Sequence, residues 1–142
     1  MTQQISEQQL IQIAQKHEEI IRSQQNFLQN LKTALREAYE TIEGLKEIQK
    51  NDKIVLIKLG SGILIEAEIK NNKKCKQAFS ENGYKETSIE EAIKWIEKRK
   101  NNLEQQAQKV QSDIINTEQK LVEIINVIKQ IQHEKSKNIS VK

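Results

Sequence analysis

Few residues of this chain carry side chains that do covalent or metal chemistry, and their placement decides what they can do. Cys75 is the lone cysteine, so an internal disulfide and a cysteine metal site are both excluded. Lys73, Lys74 and Lys76 flank it, but no neighbouring histidine stands ready to activate a thiol, and the structural role is favoured. His17 and His133 stand at opposite ends of the chain, and no carboxylate spacing completes a metal set around them. Gly60-Ser61-Gly62 lacks the further glycines, lysine and hydroxyl residue that grip phosphate, which leaves turn chemistry. The glutamates recur at solvent-facing helical positions and form no acid–base pair. No enzyme, cofactor or metal is expected.

The side chains that do form a pattern are apolar. Ile89, Ile93, Ile96, Leu103, Ala107, Val110, Ile114, Leu121, Ile124, Ile128 and Ile131 fall on alternating steps of four and three, broken at Lys100 and Thr117. A repeat averaging about 3.5 residues turns a helix face into a seam that must pack against a partner. The partner is expected in the same chain, where a wider stripe runs from Leu10 to Ile48 and takes in Ile13, Ala14, Ile20, Ile21, Phe27, Leu28, Leu31, Ala34, Leu35, Ala38, Ile42 and Leu45. This stripe covers three of seven heptad positions, enough to meet more than one neighbour. His17 and Gln24 interrupt it and read as polar breaks that fix register.

The termini of these elements are written locally. Ser6-Glu7-Gln8-Gln9 and Ser88-Ile89-Glu90-Glu91 fit capping boxes, which predict helices over about 6–50 and 88–133, followed by a frayed tail over 134–142. Between them, Ile54–Leu59, Gly60-Ser61-Gly62 and Ile63–Ile69 read as strand, turn, strand. Asn71-Asn72 makes the next turn, and a second, weaker hairpin pairs Lys74–Phe79 with Tyr84–Thr87 around Asn82-Gly83. The expected fold is mainly α: one domain over 1–142, a long antiparallel two-helix coiled-coil hairpin with a β region of two hairpins at its base, about 53–87.

Composition agrees. The sequence is rich in charge, with 30% charged and only 4% aromatic residues, and it lacks proline, the commonest cause of a helix kink. Its 23 basic and 20 acidic residues are interspersed, so no nucleic-acid footprint is expected. No apolar run reaches the roughly 18 residues of a membrane span, and Met1–Glu7 is too polar for a signal peptide. A cytoplasmic location follows as the expectation.

Two places have apolar residues that the hairpin itself cannot cover. Toward the ends of the helices the stripe doubles, as Ile114-Ile115, Leu121-Val122, Ile124-Ile125 and Val127-Ile128, while Ile5 and Ile11 lie off the stripe of the first helix. A two-stranded coil buries only its seam, and exposed apolar patches of this kind mark contact surfaces. The strands form the second place, since isolated hairpins are marginal and open edges invite pairing with other chains. Trp95, Tyr39 and Tyr84 are expected to pack beside the strands.

The block from Ile57 to Ile69, Ile-Lys-Leu-Gly-Ser-Gly-Ile-Leu-Ile-Glu-Ala-Glu-Ile, leads on to Gly83-Tyr84-Lys85-Glu86-Thr87-Ser88-Ile89-Glu90-Glu91-Ala92-Ile93. Together they resemble the Gly-x-Gly hairpin and the entry to the second helix of prefoldin. Two hairpins rather than one resemble its α class, although Cys75–Phe79 stands where that class has a Val/Ile-rich strand. The resemblance implies an ATP-independent co-chaperone, a hexamer in which this chain joins a second α-type subunit and β-type subunits through its strands. It implies coiled-coil tips that hold non-native proteins, actin and tubulin among them in eukaryotes, for a group II chaperonin. The positions matching the tips are Ile5, Leu10, Ile11, Ile13, Ile124, Ile125, Val127, Ile128 and Ile131. Those matching strand assembly are Val55, Ile57, Leu59, Ile63, Ile65, Ala67, Ile69, Phe79 and Tyr84. A scaffolding subunit of a specialised prefoldin-like complex, holding no client, is the alternative.

Overall fold

The structure, a computed structural model, describes residues 5–50 and 54–140, with side chains as far as residue 137. Two long helices, α1 (Glu7–Gln49) and α2 (Ile89–Ser140), enclose in sequence four strands: β1 (Ile54–Gly60), β2 (Ile63–Glu68), β3 (Lys74–Ala78) and β4 (Tyr84–Ser88). The chain divides into a terminal unit, residues 1–32 with 105–142, and a central unit, residues 33–104.

The start of α1 is a reciprocal cap. Ser6 N–H donates to Gln9 Oε1 at 3.0 Å, and Gln9 N–H donates to Ser6 Oγ at 3.2 Å. Two donors that a helix start would otherwise leave unpaired are thereby satisfied. At α2 the backbone passes from strand to helix without a loop, and Ser88 Oγ accepts from Glu91 N–H at 3.0 Å. The expected stop of α1 near Asn51-Asp52 lies outside the described residues.

α2 corrects one expectation. It runs through the tail and ends at Ser140, beyond His133. Residues 134–138, Glu-Lys-Ser-Lys-Asn, contain neither glycine nor proline to break a helix, and Gln132 and Lys135 are tied to Glu7 of α1.

Burial along α1 follows one strict series. Leu10, Ala14, His17, Ile21, Gln24, Leu28, Leu31, Leu35, Ala38, Ile42 and Leu45 are all buried or half-buried, in alternating steps of four and three. The wider stripe expected from the sequence is therefore narrower in the molecule: Ile20 and Phe27 are 41% and 51% exposed. They sit one residue before the seam positions Ile21 and Leu28, where an antiparallel partner helix no longer reaches them. In the terminal unit the antiparallel sense is shown by Glu7 meeting Gln132 and Lys135, while Ile21 shares a shallow hollow with Glu118 and Leu121. In the central unit Tyr39 pairs with Glu104 and Lys46 with Glu97.

The densest packing lies in the central unit. Ile42, Ile89 and Ile93 form a buried cluster, with Leu45, Ile48, Ile96 and Cys75 packed against it. Cys75 thus fastens the second hairpin to the helices. Its pairing, Cys75 with Thr87 and Ala78 with Tyr84, holds despite a strand that lacks Val and Ile. Phe79 falls just outside β3, in the loop, and Ile69 just beyond β2.

Each hairpin is a separate two-stranded sheet. In the first, the register slips between Lys58 and Gly60, and Gly60, Ser61 and Gly62 take φ of 108°, 53° and 79°. That left-handed run needs glycine on either side of Ser61 to turn the chain within so few residues. Gly83 serves differently. It closes a loop in which its carbonyl accepts from Phe79 N–H at 3.0 Å, and an added Cβ would lie 2.7 Å from Phe79 Cζ. The close approach of Ser80 Oγ and of the Phe79 ring, not a positive φ, is what favours glycine there. Asn71 Oδ1 accepts from Lys73 N–H at 2.9 Å, which makes the turn between the hairpins.

Candidate interaction surfaces

Alternation along β1 and β2 separates two faces. The cross-strand pairs Val55–Ala67 and Ile57–Ile65 share one face, with Ile63 in line; that face carries no polar side chain. Ile57, Ile63 and Ile65 are 45%, 57% and 49% exposed on it. The other face mixes Ile54, Leu56 and Leu64 with Lys58, Glu66 and Glu68. Leu59, at the register slip, is also exposed, as are Phe79 and Tyr84 around the second hairpin. Val55, Ala67 and Ile69 are half-buried. A contiguous apolar sheet face of this kind is costly in water, and each two-stranded sheet leaves outer backbone edges for a further strand.

Next to this face is a cleft of about 560 Å³, lined by Gly44, Glu47 and Ile48 of α1 and Ile54, Val55 and Leu56 of β1. Nothing lies within 4 Å of the Cβ position at Gly44. No local signal marks this cleft, because a glycine inside a helix reads only as a weak propensity cost.

The terminal unit holds the second surface. Ile5, Ile11 and Val127 are exposed, as the doubled stripe implied. Leu10, Ile13, Ile124, Ile125, Ile128 and Ile131 are half-buried. Leu10, Ile124, Ile128 and Ile131 belong to the seam, so the facing helix covers part of each. Ile115 and Val122, one heptad apart, are 49% and 56% exposed and line a shallow hollow with Glu118, Gln119 and Glu123. Together with Ile20 and Phe27 they carry exposed apolar area further along the unit than the expected tip residues do. A strict reading of the four-three series would have found both pairs.

Polar groups sort into structural roles. Glu7 receives Lys135 Nζ on Oε2 at 2.6 Å and Gln132 Nε2 on Oε1 at 3.2 Å, and these bonds hold its carboxyl below the usual carboxylate range. Tyr39 donates to Glu104 at 2.6 Å, which raises its phenol above the ordinary value, and Lys100 Nζ lies 4.8 Å from its ring centroid. Tyr39 and Trp95 are both 48% exposed, and the polar partners of Tyr39 lie on α2. His17 Nδ1 lies 2.8 Å from Ile13 O, an ordinary intrahelical bond. Gln24 Oε1 is enclosed without a hydrogen-bond partner. Among the described residues no group of His, Cys, Asp or Glu could hold a metal ion, and no helix is long and apolar enough to cross a membrane.

The comparisons with known proteins agree with this geometry. The family model described as "Prefoldin subunit" matches residues 14–134. Prefoldin subunit alpha of Pyrococcus horikoshii is 24% identical over 125 residues, covering 88% of this chain and 84% of that protein. Prefoldin subunit alpha of Thermofilum pendens is 30% identical over 104 residues, covering 72% and 78%. A chain of the filamentous prefoldin of Methanocaldococcus jannaschii superposes with a TM-score of 0.67 at 20% identity, over 81% of this chain and 97% of that one. The chain belongs to the prefoldin family, as a subunit of the alpha type.

Proposed function

We propose that this subunit holds non-native proteins on the exposed apolar side chains of its terminal unit, without nucleotide, and delivers them to a group II chaperonin. As a prefoldin subunit it is a non-enzymatic chaperone component that assembles with other prefoldin subunits. The partners proposed are β-type subunits and a second α-type subunit, joined through the apolar face of β1 and β2 and the open edges of both hairpins. A cytoplasmic location belongs to the same proposal, since a lone, half-buried cysteine suits a reducing compartment.

The observation that carries client holding is the exposure of Ile11, Ile115, Val122 and Val127 on helices whose own seam does not need them. Fully burying one such side chain is worth about 1.5–3 kcal/mol. Each is already partly covered, so each contributes less, and ordering a client takes back part of that. One hairpin therefore holds weakly. Several on one scaffold raise the effective concentration, and avidity retains a client that no deep pocket grips. Release then needs only a tighter acceptor.

The test is Ile11→Lys with Val127→Lys in the assembled complex. Both sites are exposed, so assembly and helicity should be unchanged while suppression of the aggregation of a denatured protein falls. Unaltered suppression would refute the terminal unit as the holding surface and favour a scaffolding role.

A further inference from the structure

At the end of the terminal unit where α1 begins, Glu7 joins the two helices. Glu7 lies in the first turn of α1 and spreads its two carboxylate oxygens over two residues of α2, Lys135 and Gln132. Its side chain is only 20% exposed, while that of Lys135 is 65% exposed. Ile131 is the last apolar seam residue among the described side chains of α2, yet α2 continues to Ser140, and residues 132–138 are all polar. Apolar packing does not explain that continuation; the two bonds to Glu7 supply a reason for the last turns to stay beside α1. Behind them lie Leu10, Ile128 and Ile131, all half-buried.

Helix ends fray readily because their last hydrogen bonds are not repeated beyond them. A tie across two helix ends makes their opening cooperative, since α1 cannot leave without releasing Glu7 and α2 cannot leave without releasing Lys135. Opening uncovers the seam side chains of both helices at once.

We infer that Glu7 is a latch between the two helices of the terminal unit, and that its bonds to Lys135 and Gln132 set how far Leu10, Ile128 and Ile131 become available to a captured chain. The gating half of this inference rests on the proposed holding function; the latch itself rests on geometry alone. The latch is electrostatic at its Lys135 arm, so salt weakens it. Glu7→Gln keeps the shape of the side chain and removes the charge. Lys135→Gln removes the partner from the other helix and leaves the α1 start untouched.

The experiment uses the full-length subunit in its assembled complex and reads two quantities. Backbone hydrogen exchange is followed in residues 8–14 and 124–137, with residues 89–96 as the internal reference. Holding of one chemically denatured test protein is followed by light scattering. Either substitution should speed exchange in both terminal segments about twofold to fivefold, the range an exposed ion pair supplies. The double variant should be no faster than the singles, because both act on one tie. Added salt should speed exchange in the wild type and not in Glu7→Gln, and the latch-free variants should hold more client. Unchanged exchange, or faster exchange in one segment only, overturns the latch. Faster exchange with unaltered client holding overturns the gating role. A wild-type complex that holds no client refutes the proposed function, and the gating role with it, while exchange still decides the latch.

Discussion

Placing a charge on the apolar face of the first hairpin should disassemble the complex and leave the helices intact. Ile65 is 49% exposed in the isolated chain, so about half of its side chain remains to be covered by a partner. Full burial is worth about 1.5–3 kcal/mol, which makes the lost contact about 1 kcal/mol. Ile65→Lys also forces an ammonium into a dry interface, and an unpaired buried charge costs roughly 3–5 kcal/mol. The sum, about 4–6 kcal/mol, corresponds to a weakening of at least a hundredfold, since each 1.4 kcal/mol is tenfold. Glu66→Lys, next in sequence but on the opposite face beside Leu56, serves as the control and should change assembly little. Sedimentation velocity gives the oligomer size, and circular dichroism at 222 nm gives the helix content, which should be equal in all three proteins. Intact oligomers of Ile65→Lys at micromolar concentration would show that this face is not the contact. Equal loss in both variants would show that the hairpin, not the face, is what matters.

Ile89→Ala removes the most buried side chain of the central cluster, 2% exposed, and should cost about 2–5 kcal/mol in urea unfolding, against less than about 0.5 kcal/mol for Val122→Ala. Ser88→Ala deletes the cap that accepts from Glu91 N–H and should cost about 0.5–2 kcal/mol by the same measurement. Gly62→Ala must hold a φ of +79° and should cost about 1–2 kcal/mol although nothing crowds its Cβ. Gly83→Ala meets only the movable side chains of Phe79 and Ser80, and thermal unfolding should show a smaller loss, lessened by adding Phe79→Ala. The Glu7 carboxyl is held below its ordinary value by Lys135 and then Gln132. Its contribution is therefore complete above the unfolded carboxylate value of 4.5 and lost as pH falls through the lower folded value, so the protection of residues 8–14, taken relative to the intrinsic exchange rate at each pH, should fall in that acid window.

Local rules made much of the fold legible. Ser6 and Gln9 announced the start of α1 because a capping box needs only neighbours in sequence. Gly60-Ser61-Gly62 placed the first turn for the same reason, and alternation sorted Ile63 and Ile65 from Glu66 and Glu68. What sequence could not decide is which of several adjacent apolar residues a partner helix covers. Ile20 beside Ile21, and Phe27 beside Leu28, are equivalent until the facing helix fixes the seam. The same choice divides the expected tip: Ile11 and Val127 stand exposed, while Leu10 and Ile128 are partly shielded. The end of α2 was hidden because the residue it meets there, Glu7, is separated from Lys135 by almost the whole chain.

Client capture by the terminal unit is tested most directly by photo-crosslinking. A photoreactive side chain placed singly at Ile11, Val122, Val127 or Ile65 in the assembled complex reports which surface meets a chemically denatured protein. Adducts with that protein are expected from Ile11, Val122 and Val127, and adducts with other subunits from Ile65. Client adducts from Ile65, with none from the three terminal-unit positions, would contradict capture by the terminal unit.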